Sequence, residues 1–127
     1  MAAAAVVVAC ALLGAVLGLA SMLVHREALR VSGMLLPWGV ALGWCTTYAV
    51  IVALRLTPAG VRGSAGCAAG WVLLVLAAQR SRPEGDFLVA GDGLGTVFLL
   101  GGLAVVFVAI IRSRVGAPAR PNAGKRP

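Results

Sequence analysis

Four long apolar runs, each closed by arginine or by a turn, set the pattern of this chain. Residues 2–24 hold no charge and end at His25-Arg26-Glu27. The second run covers 35–54. Pro37 falls in its first turn, where a missing N–H costs nothing, and Trp38 sits at the same end, as an interfacial aromatic does. Arg55 closes this run, and Thr57-Pro58-Ala59-Gly60 reads as a turn. The third run, 63–79, is the weakest: its strictly apolar part, 63–78, is 16 residues long, against a usual minimum of about 17. Arg62 and Arg80 flank it and can snorkel to the interface while their stems lie in the apolar zone. The fourth run, 93–111, stops at Arg112 and Arg114.

At about 1.5 Å per helical residue, runs of this length match a hydrocarbon core of about 30 Å. The pattern predicts an all-α membrane protein with four transmembrane helices over 2–24, 35–54, 63–79 and 93–111. The short connections predict an antiparallel up-and-down bundle forming one domain, residues 1–112. A cleaved signal peptide is the rival reading of the first run, since Gly18-Leu19-Ala20 would suit a cleavage site. The run is longer than the usual ~7–15 apolar residues, and no basic side chain precedes it. Residues 113–127 lack apolar periodicity and are rich in proline, glycine and basic side chains, which predicts a disordered, basic, cytoplasmic tail. The runs show no internal repeat of the kind that marks inverted-repeat transporters.

Composition sharpens the picture. The chain is 61% hydrophobic and only 12% charged, whereas soluble domains hold about 45–50% apolar and about 25% charged residues. The net charge of +7 lies between the runs and in the tail. No stripe of Lys/Arg with interleaved aromatics follows one element, so nucleic acid is not an expected partner. With both termini cytoplasmic, seven basic residues fall on the cytoplasmic side and four, Arg26, Arg30, Arg80 and Arg82, on the other. That bias follows the positive-inside rule and predicts a multi-pass plasma-membrane protein. Ten of the eleven basic residues are arginine, and alanine and glycine are frequent, in keeping with a GC-rich bacterial genome.

Candidate chemistry is sparse. Cys10, Cys45 and Cys67 lie inside apolar runs with no CxxC spacing and no neighbouring histidine, so they read as inert buried thiols and no metal or cofactor is expected. Gly-x-x-x-Gly pairs occur at Gly14/Gly18, Gly39/Gly43, Gly66/Gly70 and Gly91/Gly95. Glycines so spaced share a helix face and allow close backbone approach, although chance alone would supply about two such pairs. They predict tight helix packing, within the bundle or between copies. Cys45-Thr46-Thr47-Tyr48 forms a mildly polar belt, and its threonine hydroxyls are expected to bond to carbonyls one turn earlier. His25 is expected to be an exposed interfacial residue. The segment around 82–96 departs most from apolar run and basic flank. It holds Arg82, Glu84, Asp86 and Asp92, and is the candidate functional loop. Asp92 is placed to cap the fourth helix, and Glu84, Asp86 and Asp92 could offer oxygen ligands, though their spacing matches no calcium loop.

Arg82-Pro83-Glu84-Gly85-Asp86, then Gly91, then Val97-Phe98-Leu99-Leu100-Gly101-Gly102, with Leu36-Pro37-Trp38-Gly39 ahead of them, resembles a family of small actinobacterial integral membrane proteins of unknown function. The likeness extends over about residues 5–112. It implies four spans in the plasma membrane and no established activity, and it supplies no catalytic residue. The chain is less similar to small multidrug exporters, which use a glutamate inside the first span, or to small fluoride channels, which place polar residues and a helix break within the membrane.

The expectation is therefore a non-enzymatic accessory or interaction protein, with the lipid bilayer, another membrane protein or a second copy as partner. The alternative is a small oligomeric transporter or channel. An enzyme is disfavoured, because the chain has no Ser/His/Asp set, no metal-ligand set and no phosphate-binding loop.

Overall fold

The computed structural model describes residues 2–80 and 93–115. Four helices carry the fold: α1 (Ala2–Val24), α2 (Trp38–Leu54), α3 (Gly60–Ala78) and α4 (Gly93–Val115). A hairpin of β1 (Leu29–Val31) and β2 (Met34–Leu36) links α1 to α2. Three helices, α1, α3 and α4, are long and apolar enough to cross a membrane; α2, at 17 residues, is the shorter apolar helix. Its rise is about 26 Å, against about 28 Å for α3.

The weak run by length is thus the second, not the third. Residues 35 and 36 belong to β2, and Pro37, which has no N–H for a ladder or a helix, separates that strand from α2. The hairpin turns at Ser32 and Gly33, both with positive φ (51° and 83°), the backbone of a tight two-residue hairpin loop. The third run gains length at its start. Thr57 accepts from the Ala59 N–H through Oγ1 (3.2 Å), and the Gly60 N–H donates to the Thr57 carbonyl (3.0 Å). Gly60, at φ 55°, then turns the chain directly into α3. At the other end, α4 runs past Arg112 and Arg114 to Val115. Basic residues in a last turn meet the favourable end of the helix dipole, so they need not stop the helix.

Small residues decide which helices touch. The most extensive contact is between α1 and α3, which are not consecutive. A Cβ on Gly14 would overlap the Cys67 carbonyl, one on Gly70 the Ala11 carbonyl, and one on Gly66 would lie 2.8 Å from the Val7 carbonyl oxygen. Residue numbers rise together across this seam, so α1 and α3 run in the same direction. Between α1 and α2 they run in opposition, with Gly39 against Val24 and Gly43 against Ser21.

More of α3 is buried than of α1 or α4. Its buried face includes Gly63, Ser64, Gly66, Cys67, Gly70 and Trp71. Enclosure by protein removes the need for bulky apolar side chains facing lipid, which accounts for a run so rich in glycine, alanine and serine. Ser64 ties α3 to α2 by donating from Oγ to the Ile51 carbonyl (2.8 Å). Leu12, Val16, Leu73, Leu100 and Phe107 instead point outward and are more than half exposed, as lipid-facing residues would be.

Candidate functional site

The end of the bundle where α1 finishes and α4 begins carries the most unusual side-chain environment. His25 follows the last residue of α1 and is 1% exposed. This corrects its expected position as an exposed interfacial residue. Its N–H donates to the Ser21 carbonyl (2.9 Å), continuing the helical pattern for one more residue, and the Glu27 N–H donates to the Val24 carbonyl (2.9 Å), turning the chain back. The ring therefore points inward. Nδ1 bonds to the Met22 carbonyl, and the imidazole stacks on Phe98 of α4 with centroids 4.9 Å apart and planes 32° off parallel. Phe98 also meets Trp71 of α3, at 6.2 Å and 47°. One aromatic cluster thus joins three helix ends or midsections.

Donation to a carbonyl requires Nδ1 to carry the proton, which leaves Nε2 as the acceptor in neutral imidazole. Among the described residues, His25 Nε2, Thr47 Oγ1 and Trp71 Nε1 are buried without a hydrogen-bond partner. A buried polar atom without a partner costs free energy in any apolar setting. The polar belt of α2 thus divides. Thr46 is exposed and back-bonds to the Leu42 carbonyl (2.8 Å), while Thr47 is buried and makes no such bond. Cys45 is exposed, unlike buried Cys10 and Cys67, because it lies on the outer face of α2.

The second feature is a groove between α2 and α4. Trp44 lies across it, donating from Nε1 to the Phe98 carbonyl (3.3 Å) and covering Gly101 so closely that no Cβ would fit there. On one side of Trp44 an open apolar groove of about 380 Å³ is lined by Cys45, Tyr48, Ala104, Val105 and Val108. On the other side a second, of about 340 Å³, reaches Pro37, Trp38, Ala41 and Val97. The walls are almost wholly apolar. Among the described residues, no charged side chain lines either groove and no cluster of metal-ligand type occurs.

The candidate loop residues Arg82, Glu84, Asp86 and Asp92, together with Gly91, lie outside the described residues. Of the glycines singled out for packing, Gly14, Gly18, Gly39, Gly43, Gly66, Gly70 and Gly95 are buried. The first six lie along α1–α3 and α1–α2. His25 could have been found from spacing: Gly14, Gly18, Ser21 and His25 recur at intervals of three or four, which is one helix face. Gly101 and Gly102 carry a different signal, adjacent glycines inside an apolar run, and each accommodates a tryptophan, Trp44 and Trp71 respectively.

No curated protein and no solved structure matches the chain. Residues 1–125 match the model of a family of unknown function, DUF6113, and the chain belongs to that family.

Proposed function

We propose that this chain is a four-span accessory or interaction protein of the plasma membrane, with both termini in the cytoplasm and no enzymatic activity of its own. The observation that carries the reading is the apolar groove beside Trp44, open along the flank of α2 and α4. A groove with such walls suits an apolar helix of another membrane protein better than a polar solute. Helix α2 is short, but a span of this length can be accommodated by local thinning of the bilayer and by snorkelling of Arg55. The opposed course of α1 and α2 and the shared course of α1 and α3 support an up-and-down arrangement. The arginine-rich composition supports an actinobacterial source.

A photo-crosslinking residue at Val108, in the groove, should capture one defined membrane protein in native membranes. The same probe at Leu12, on the far face of α1, should not. Equal capture at both positions, or adducts with lipid alone, would sink the reading. The alternative, a small oligomeric transporter or channel, is favoured by the unpartnered polar atoms of His25, Thr47 and Trp71 inside the bundle. Saturable solute or ion flux into liposomes containing only this protein would establish it instead.

A further inference from the structure

We propose that the β1–β2 hairpin is a lipid-binding element that lies in the interfacial layer of the bilayer, with Leu29, Val31, Met34 and Leu36 turned toward the acyl chains. The inference rests on the membrane reading above and adds a surface to it. Pairing of Leu29 with Leu36 and of Val31 with Met34 puts these four side chains on one face, because cross-strand partners share a face and neighbours along a strand alternate. Arg30 and Leu35 form the other face. All six strand residues are exposed, Met34 to 78%.

A free hairpin in water would gain nothing from five apolar residues out of six, and an isolated two-stranded ribbon is marginal there at best. Deep burial in hydrocarbon is ruled out too. A two-stranded ribbon has two open edges whose N–H and C=O groups need water or headgroups. The interfacial layer meets both demands: acyl chains for one face, and phosphates within reach of Arg30 on the other.

The position of the hairpin agrees. It is held close to the helix ends, because the Gly39 N–H donates to the Glu27 carbonyl (3.1 Å) and Gly39 packs directly on the Val24 carbonyl. Leu23 near the end of α1 and Trp38 at the start of α2 are exposed, so apolar side chains stand open at both junctions of the chain with the hairpin. Helix α2 falls short of a hydrocarbon core by about 4 Å, so the chain before its first turn has to cover the remaining distance to the headgroups, and the hairpin is that segment.

The test uses the full-length chain with Cys45→Ser, since Cys10 and Cys67 are buried. Met34→Cys is labelled with an environment-sensitive fluorophore and reconstituted into phosphatidylcholine–phosphatidylglycerol vesicles. Lipids brominated near the head of the acyl chain should quench the label strongly, lipids brominated near its end weakly, and aqueous iodide little. A Val16→Cys label, midway along α1, is measured in parallel and should be quenched best by the deep bromines. Quenching at position 16 with iodide-accessible, bromine-insensitive label at 34 would overturn the hairpin proposal alone. Shielding of 34 from both quenchers would overturn it in favour of a protein covering that face. Failure of quenching at 16 would overturn the membrane reading itself and the hairpin proposal with it.

Discussion

Gly14 faces the carbonyl of Cys67 so closely that a Cβ built on it would overlap the oxygen, and Gly70 stands in the same relation to Ala11. The obstacle is backbone, which cannot rotate away as a side chain could. Gly14→Ala and Gly70→Ala should therefore force α1 and α3 apart and cost about 1–3 kcal/mol each, or more. Gly18→Ala meets the Trp71 carbonyl at 3.4 Å, an ordinary contact, and Gly93→Ala meets nothing within 4 Å. Both should be near neutral in thermal unfolding of the micelle-solubilised protein. Equal melting of Gly14→Ala and Gly18→Ala would contradict the close seam.

His25→Ala should empty the space beside Phe98 and cost about 3 kcal/mol, as removal of a buried ring does. His25→Phe should recover more than half of that loss. Phenylalanine refills the volume, keeps the ring stacking and removes the unpartnered Nε2. If the two variants melt alike, the Nδ1 bond to Met22, rather than packing, is what the histidine contributes.

Two hydroxyls separate bonding between helices from bonding within one. Ser64 reaches across to Ile51 of α2, and Ser64→Ala should cost about 1 kcal/mol. Thr46 bonds only to carbonyls of its own helix, so Thr46→Ala should stay within about 0.5 kcal/mol of the parent. Chemical denaturation of the same micelle preparation reads both, and the order of the two effects is the test.

The proposed topology places residue 56 and residue 80 on opposite sides of the membrane. In a Cys45→Ser chain, Arg80→Cys should react with an impermeant maleimide on intact cells. Leu56→Cys, at an 85% exposed position, should react only after permeabilisation. A reporter fused after Pro127 should be active only in the cytoplasm. Labelling of both cysteines from outside would mean that α3 does not cross.

The aromatic cluster and the groove show how far reading along the chain reaches. The spacing of Gly14, Gly18, Ser21 and His25 places them on one face of α1, and that much is local. What this face meets is not: Cys67, Trp71 and Phe98 lie dozens of residues away, and whether His25 points outward or inward depends on them. The acids of 81–92 were the most conspicuous polar group in the sequence, and they lie outside the described residues. Of the polar atoms that the structure does place in the interior, those of Thr47 and Trp71 carried no comparable signal, and that of His25 only its place on the small-residue face of α1.

Hydropathy is a sum over consecutive residues, so the sequence by itself determined the apolar helices, the basic flanks and the turn at 57–60. It also set the faces on which small residues recur, because helical periodicity is local. Only the tertiary structure decided that α1 pairs most closely with α3. Glycine marks where a backbone can approach, but not which one does. Only tertiary structure decided that α3, the least apolar of the three long helices, is the most enclosed of them, since side chains that face protein need not be as apolar as those that face lipid. The hairpin belongs to both. Ser32-Gly33 permits the turn, but residues 35 and 36 read as helix until pairing with Arg30 and Leu29 claimed them for a strand, and that pairing is a contact no stretch of sequence contains on its own.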